Sequence, residues 1–308
     1  MKSQTKGILS VCVTALLWGF LAIVVEVALR FIDAQTMVWF RFAFAATVLL
    51  LYFVFRKPND LKSILKKFPP ALLLAGICLG FNYYGYAKGL DYTSPSTTQV
   101  FIQMGPIMLA IVGVVFYREK FNTKQLVGII IAFCGLVLFY FNQLKVMVDE
   151  SFNLGFLLIV FAAVSWVVYA INQKKLVKQY NTQLLNLFIY LIPALFYTPI
   201  ANFSVFGNLN INQWLIMIFL GANTLLAYGF LAVALKHIEA YKVSIIITLN
   251  PIITVVVMSI LYRMQVSWIQ GEQLEPLSAL GAILLLGGAV MSIYFSRLNF
   301  KDKKVPKH

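Results

Sequence analysis

From Gln179 to Leu235 the chain carries no Lys, Arg, Asp or Glu. Such a run is far longer than the ~20 residues one membrane-spanning helix needs. It must be split, and the polar stretch "NFSVFGNLNINQ" (202–213) is the natural loop. Pro193 and Pro199 lie just before it, where a membrane helix tolerates a kink.

The rest of the chain follows the same pattern. Of 308 residues, 61% are hydrophobic and 12% charged, against roughly 25% charged in an ordinary soluble domain. Surface-to-volume scaling leaves a soluble fold nowhere to hide so much apolar surface. A bilayer hides it. Charge-bounded apolar runs predict ten helices, near 7–29, 35–55, 69–89, 94–117, 123–143, 152–173, 182–201, 211–235, 241–262 and 276–296. The fold class is an all-α integral membrane protein.

Orientation is read from Lys and Arg. With the N-terminus inside, twenty of the 25 basic residues fall on inner segments and four on outer ones, with Arg41 inside the second span. The positive-inside rule then places both termini in the cytoplasm. The basic tail 298–308 is cytoplasmic too. The net charge of +14 reflects loop cations facing anionic lipid, not nucleic acid.

Enzyme chemistry finds no foothold. The histidines are His237 and His308, and HExxH, DxxD, GxSxG and the P-loop pattern are all missing. Cys12, Cys78 and Cys134 sit inside apolar runs without CxxC spacing, as buried cysteines do. No cofactor or metal is implied.

The chain repeats itself. "GFNYYGYAKGL" aligns with "LLAYGFLAVAL" at an offset of 145, pairing Tyr83 with Tyr228. Trp18 pairs with Trp166 and Gln35 with Gln183 at an offset of 148. "REKFNTKQLVGIIIAFCGLV" aligns with "GEQLEPLSALGAILLLGGAV" at 153, pairing Gly128 with Gly281 and Gly135 with Gly288. An insertion around "MQVSWIQG" (264–271) absorbs the jump. The units are 7–143 and 152–297. Five helices is an odd number, so the second unit enters the membrane from the opposite side. Two inverted repeats with a site between them is the architecture of secondary transporters.

"LLWGF", "RFAFAATVLLL", "YTSPSTTQVFIQMGPIMLAIVG" and "GEQLEPLSALGAILLLGGAV" in this order resemble the EamA-type drug/metabolite transporters, over almost the whole chain. The resemblance implies ten helices in two five-helix repeats and cytoplasmic termini. It further implies a central cavity lined by helices 1, 3, 4, 6, 8 and 9, with helices 5 and 10 peripheral. Members move small metabolites, often amino acids, and many export them. Where the family often has Lys, eight residues after the first-helix Trp, this chain has Glu26.

Polar groups inside spans are costly and tend to face the bundle interior. Gln99, Gln103 and Pro106 share one helix face, and their repeat equivalents are Ser244, Thr248 and Pro251. Asn82, Tyr83 and Tyr86 come from the third helix, Trp166 and Tyr169 from the sixth, Asn223 and Tyr228 from the eighth. Trp18 is about eleven residues into its helix, ~16 Å along at 1.5 Å per residue. The alternative for each is interhelical glue. Together they outline an aromatic, amide-lined cavity for an amino acid or a similar zwitterionic or neutral solute.

Glu26 lies ~28 Å along the first helix, near the outer boundary of the hydrocarbon. It is either an interfacial carboxylate beside Arg30 or an outer gate that pairs with Arg41. Arg41 is either a snorkelling residue or that gate's partner. The function expected is secondary transport across the cytoplasmic (inner) membrane by alternating access, with export favoured and the proton as candidate coupling ion. An uncoupled facilitator is the alternative. The protein is expected as a monomer or homodimer.

Overall fold

The computed structural model describes residues 3–66, 68–105, 107–108, 123–146, 151–177, 179–238, 243, 246–248, 250–271 and 275–296. Every element described is helical. They are α1 (Ser3–Leu29), α2 (Ala34–Arg56), α3 (Pro58–Lys66), α4 (Pro70–Asp91), α5 (Pro95–Phe101), α6 (Thr123–Val146), α7 (Ser151–Leu176), α8 (Thr182–Tyr197), α9 (Ile211–His237), α10 (Asn250–Met264) and α11 (Pro276–Ser296). Among the described residues five helices are long and apolar enough to cross a membrane, and shorter apolar helices accompany them. The protein is a multi-pass membrane protein. Pro106, Ser244, the 298–308 tail and most of the second half of the expected fourth helix lie outside the described residues.

Local chemistry sets the helix starts. Asp33 caps α2 by accepting from Thr36 N at 2.9 Å, and Ser94 caps α5 ahead of Pro95. Asn181 caps α8. Asn210 and Gln213 form a reciprocal capping box on α9. Each cap satisfies backbone N–H groups that a helix leaves without intrahelical partners.

Two elements differ from the sequence expectation. The stretch before the third span holds α3, a nine-residue amphipathic helix. Its Ile64 is buried while Lys62 and Lys66 face outward. Pro58 opens it and Asp60 lies in its first turn, both favourable at a helix N-terminus, but nine residues are too few to show a period. The expected helix 94–117 is interrupted at 102–103. Pro106 has no N–H to give to Ile102 O. The Gly105 N–H takes that carbonyl instead, at 3.0 Å.

The helices of one half pack on those of the other in a fixed pattern. The pairs are α1 with α9, α4 with α7, α2 with α8, α5 with α10 and α6 with α11. Exchanging the halves maps this set onto itself. The register agrees as well. Asn82 Nδ2 donates to Ala162 O at 2.9 Å. At the equivalent place Thr14 Oγ1 donates to Ala227 O at 3.1 Å. The same crossing is tied in both halves, from opposite partners.

The α6–α11 crossing shows the direction of the relation. A Cβ on Gly128 would stand 2.6 Å from Ser292 N and 2.9 Å from Gly288 O. One on Gly281 would stand 2.7 Å from Phe139 N and 2.9 Å from Gly135 O. So Gly128 faces Gly288 and Gly135 faces Gly281, and the two helices run antiparallel. Because they are repeat equivalents, the twofold relating them is perpendicular to the helix axes. Small residues let backbones approach where lipid supplies no hydrophobic drive between helices.

Candidate functional site

A cavity of about 680 Å³, its open mouth included, lies among the helices. Nine of the thirteen residues proposed from sequence line it: Trp18, Arg41, Asn82, Tyr83, Tyr86, Gln99, Gln103, Trp166 and Tyr228. Asn250 at the start of α10 lines it too, as do Leu21, Ile102 and Ile247. Neither α6 nor α11 contributes to the lining.

Why these side chains meet here follows from the pairing of halves. Tyr83 on α4 and Tyr228 on α9 are repeat equivalents, and their rings lie 6.0 Å apart between centroids. Trp18 meets Tyr228 edge-on at 5.2 Å. Tyr169 also reaches Tyr228, at 5.8 Å, but packs behind the lining. Edge-to-face pairs of this kind hold aromatic walls in place.

The polar side chains divide into ties and free groups. Helix α1 is held through its own carbonyls. Gln99 Nε2 donates to Trp18 O at 2.8 Å, Asn223 Nδ2 to Leu17 O at 2.8 Å and Thr254 Oγ1 to Gly19 O at 2.6 Å. In the amide orientation its neighbours satisfy, Asn250 donates to Ile247 O at 2.9 Å and Ala15 O at 3.2 Å. Each carbonyl has a second lone pair beyond the one its helix uses. These residues are glue in part, and Asn223 serves α1 from outside the lining. Thr248 is buried outside the lining as well.

The free groups are different. Gln103 Oε1 and the hydroxyl of Tyr86 are buried without a hydrogen-bond partner among the described residues, while the Tyr83 hydroxyl lies beside Thr224, Tyr228 and Arg41. Buried polar atoms are otherwise almost always paired. Gln103 and Tyr86 both line the cavity.

Arg41 stands where the sequence reading did not place it. It is 1% exposed, so it does not snorkel. Its Nε donates to Thr224 Oγ1 at 3.1 Å, and its guanidinium carbon lies 4.4 Å from the centroid of the Tyr83 ring. Phe42, next in sequence, covers Tyr83 as well, at 4.4 Å. The packing of α2 on α9 draws Arg41 inward, which an apolar run around it could not reveal.

Glu26 is not paired with Arg41 here. Its carboxylate is 3.8 Å from Arg30, one turn on, with both side chains partly exposed. Arg30 Nη1 donates to Trp268 O at 3.0 Å. Trp268 belongs to the inserted 264–271 segment, so Arg30 ties that segment to the end of α1. Lys174, the repeat counterpart of Glu26, is exposed near the end of α7.

Known proteins share this arrangement of the chain. The EamA-like transporter family matches residues 5–141 and again 153–294. An uncharacterized transporter of Haemophilus influenzae is 31% identical over 294 residues, covering 95% of this chain and 96% of its own. The uncharacterized inner membrane transporter YhbE of Escherichia coli (strain K12) is 30% identical over 303 residues, covering 97% and 94%. A solved crystal structure superposes with a TM-score of 0.64 at 17% identity over 96% of this chain and 99% of that one, a likeness of fold. These relatives are named as transporters, not enzymes. Two matches to one family domain, covering both halves that pair around the cavity, place the chain in the EamA-like transporter family.

Proposed function

We propose that the chain is a secondary transporter that carries a small organic metabolite, an amino acid or a solute of similar size, out of the cell by alternating access. One observation carries this reading: equivalent residues of the two halves, Tyr83 and Tyr228, meet inside a cavity that both halves line. A site on a pseudo-twofold is offered alternately to the two faces when the halves exchange conformations. The antiparallel α6–α11 pair supports inverted repeats with their axis in the membrane plane. Ten spans complete the five-helix units. The excess of inner Lys and Arg supports cytoplasmic termini.

The test is counterflow in proteoliposomes with a radiolabelled panel of amino acids and small carboxylates. Saturable counterflow of at least one member is the expected result. Accumulation driven by an imposed pH gradient would identify proton coupling, and its absence a facilitator. Folded protein that moves no member overturns the reading.

Glu26 enters this scheme as a gating or coupling residue at the outer end of α1, with Arg30 rather than Arg41 as its partner in the present conformation. Glu26→Gln should change thermal stability by under about 1 kcal/mol, because exposed ion pairs contribute little. Its transport rate should lose the wild-type dependence on external pH. An unchanged pH profile reduces Glu26 to an interfacial anchor.

A further inference from the structure

We propose that Arg41 anchors a carboxylate, and that the cavity takes small organic monocarboxylates, amino acids among them, rather than amines or dianions. The proposal deepens the transport reading and rests on it for the cavity being the seat of the carried solute.

Arg41 is a buried cation with no counter-ion among the described residues. Both ion pairs among the described residues lie elsewhere, Glu26 with Arg30 and Lys88 with Asp91. No carboxylate lines the cavity among the described residues. Desolvating a guanidinium costs several kcal/mol unless something compensates. A hydroxyl at Thr224 and the face of Tyr83 compensate only partly. Thr224 occupies Nε, and the guanidinium also lies beside the Tyr83 hydroxyl, which leaves most of the four N–H donors of its two terminal amino groups for a solute. Two parallel N–H donors on a planar fork match the two oxygens of a carboxylate.

The surroundings extend the match. The orphan hydroxyl of Tyr86, another lining residue, is a further donor. Gln103 Oε1 is an acceptor without a donor, a place for a substrate N–H. Among the described residues one cation lines the cavity, so a monoanion neutralises it and a dianion leaves a buried surplus. A cationic solute would meet Arg41 with no acid to offset the repulsion. The rest of the wall is largely apolar, with Trp18, Trp166 and Tyr228 beside Leu21, Ile102 and Ile247, and suits an apolar body.

Position adds a reason. The repeat counterparts of Arg41 and Thr224 are Ile189 and Leu79, so the charge belongs to one half only. It nevertheless sits on Tyr83, one of the two rings that exchange places under the pseudo-twofold. An anchor beside the axis stays near the centre while the halves rearrange around it, and one arginine serves both orientations.

The test needs no translocation. Binding of cyclohexanecarboxylate, cyclohexanecarboxamide and cyclohexylmethylammonium to purified protein is followed by tryptophan fluorescence, since Trp18 and Trp166 line the cavity. Ionic strength is held constant with chloride. The acid should bind about 10–100-fold more tightly than the amide, the range of one charged hydrogen-bonding contact, and the ammonium should bind worst. Arg41→Gln should bring acid and amide to within about twofold, while Arg41→Lys should keep part of the preference because it keeps the charge without the fork. Equal binding of acid and amide by the wild type, no binding of the acid, or a preference that survives in Arg41→Gln would each overturn the proposal. If Arg41→Gln does not fold, the wild-type comparison and Arg41→Lys still decide. Acid binding without counterflow would fail the transport reading and spare the anchor. With simple amines added to the counterflow panel, counterflow confined to them would do the reverse.

Discussion

Replacing Gly281 by Leu should unfold the protein at a markedly lower temperature, while the same change at Gly287 should leave it nearly untouched. A Cβ on Gly281 would already stand 2.7 Å from the backbone nitrogen of Phe139. No rotamer relieves that contact, because both atoms belong to helix backbones. The α6–α11 crossing would have to open, and overpacking of this kind costs about 1–3 kcal/mol or more. For a chain of this size that is roughly 2–5 °C in the thermal midpoint. Gly287 lies on the same helix with nothing within 4 Å of its virtual Cβ, so it controls for helix propensity and added apolar surface. Thermal denaturation of both variants in one detergent decides the matter. Equal midpoints would mean that α6 and α11 do not touch as described.

Gln103→Leu should weaken apparent affinity for the transported solute about 10–100-fold without loss of stability, the span expected when a charged donor loses its acceptor. Gln103 is 3% exposed. Among the described residues its Oε1 has no partner, and its Nε2 makes only a long contact of 3.4 Å to Gln99 O. Removing a buried atom that is already unsatisfied relieves a cost rather than creating one. Gln99→Leu is the counter-experiment. It removes the 2.8 Å bond to Trp18 O and leaves a buried carbonyl with one acceptor site empty, so stability should fall by about 1 kcal/mol. Transport kinetics and thermal midpoints on the two variants separate a substrate-facing amide from an interhelical one. If Gln103→Leu transports with wild-type affinity, Gln103 is glue after all.

The two glutamines show where a sequence reading stops. Spacing by four put both on one face of one helix, and both do line the cavity. Spacing cannot say which amide finds a carbonyl on a neighbouring helix. That depends on the register of α5 against α1.

Membrane residence and internal duplication were legible in the sequence because they rest on patterns repeated across the whole chain. Apolar runs bounded by charge, and glycines recurring at 128, 135, 281 and 288, survive local exceptions. The short helix α3 and the break after Phe101 were not legible. Nine residues show no period, and a proline's effect depends on which neighbour takes the freed carbonyl. Tertiary structure alone decided the electrostatics of the site. By sequence, Arg41 and Glu26 are both lone charges near the outer ends of apolar helices, and they were paired on that ground. Packing of α2 on α9 buries Arg41 over Tyr83, while Glu26 stays partly exposed beside Arg30. Periodicity reports which face of a helix is polar. Only the rotation and approach of neighbouring helices determine whether a charge on that face meets water, lipid, a counter-ion or a cavity.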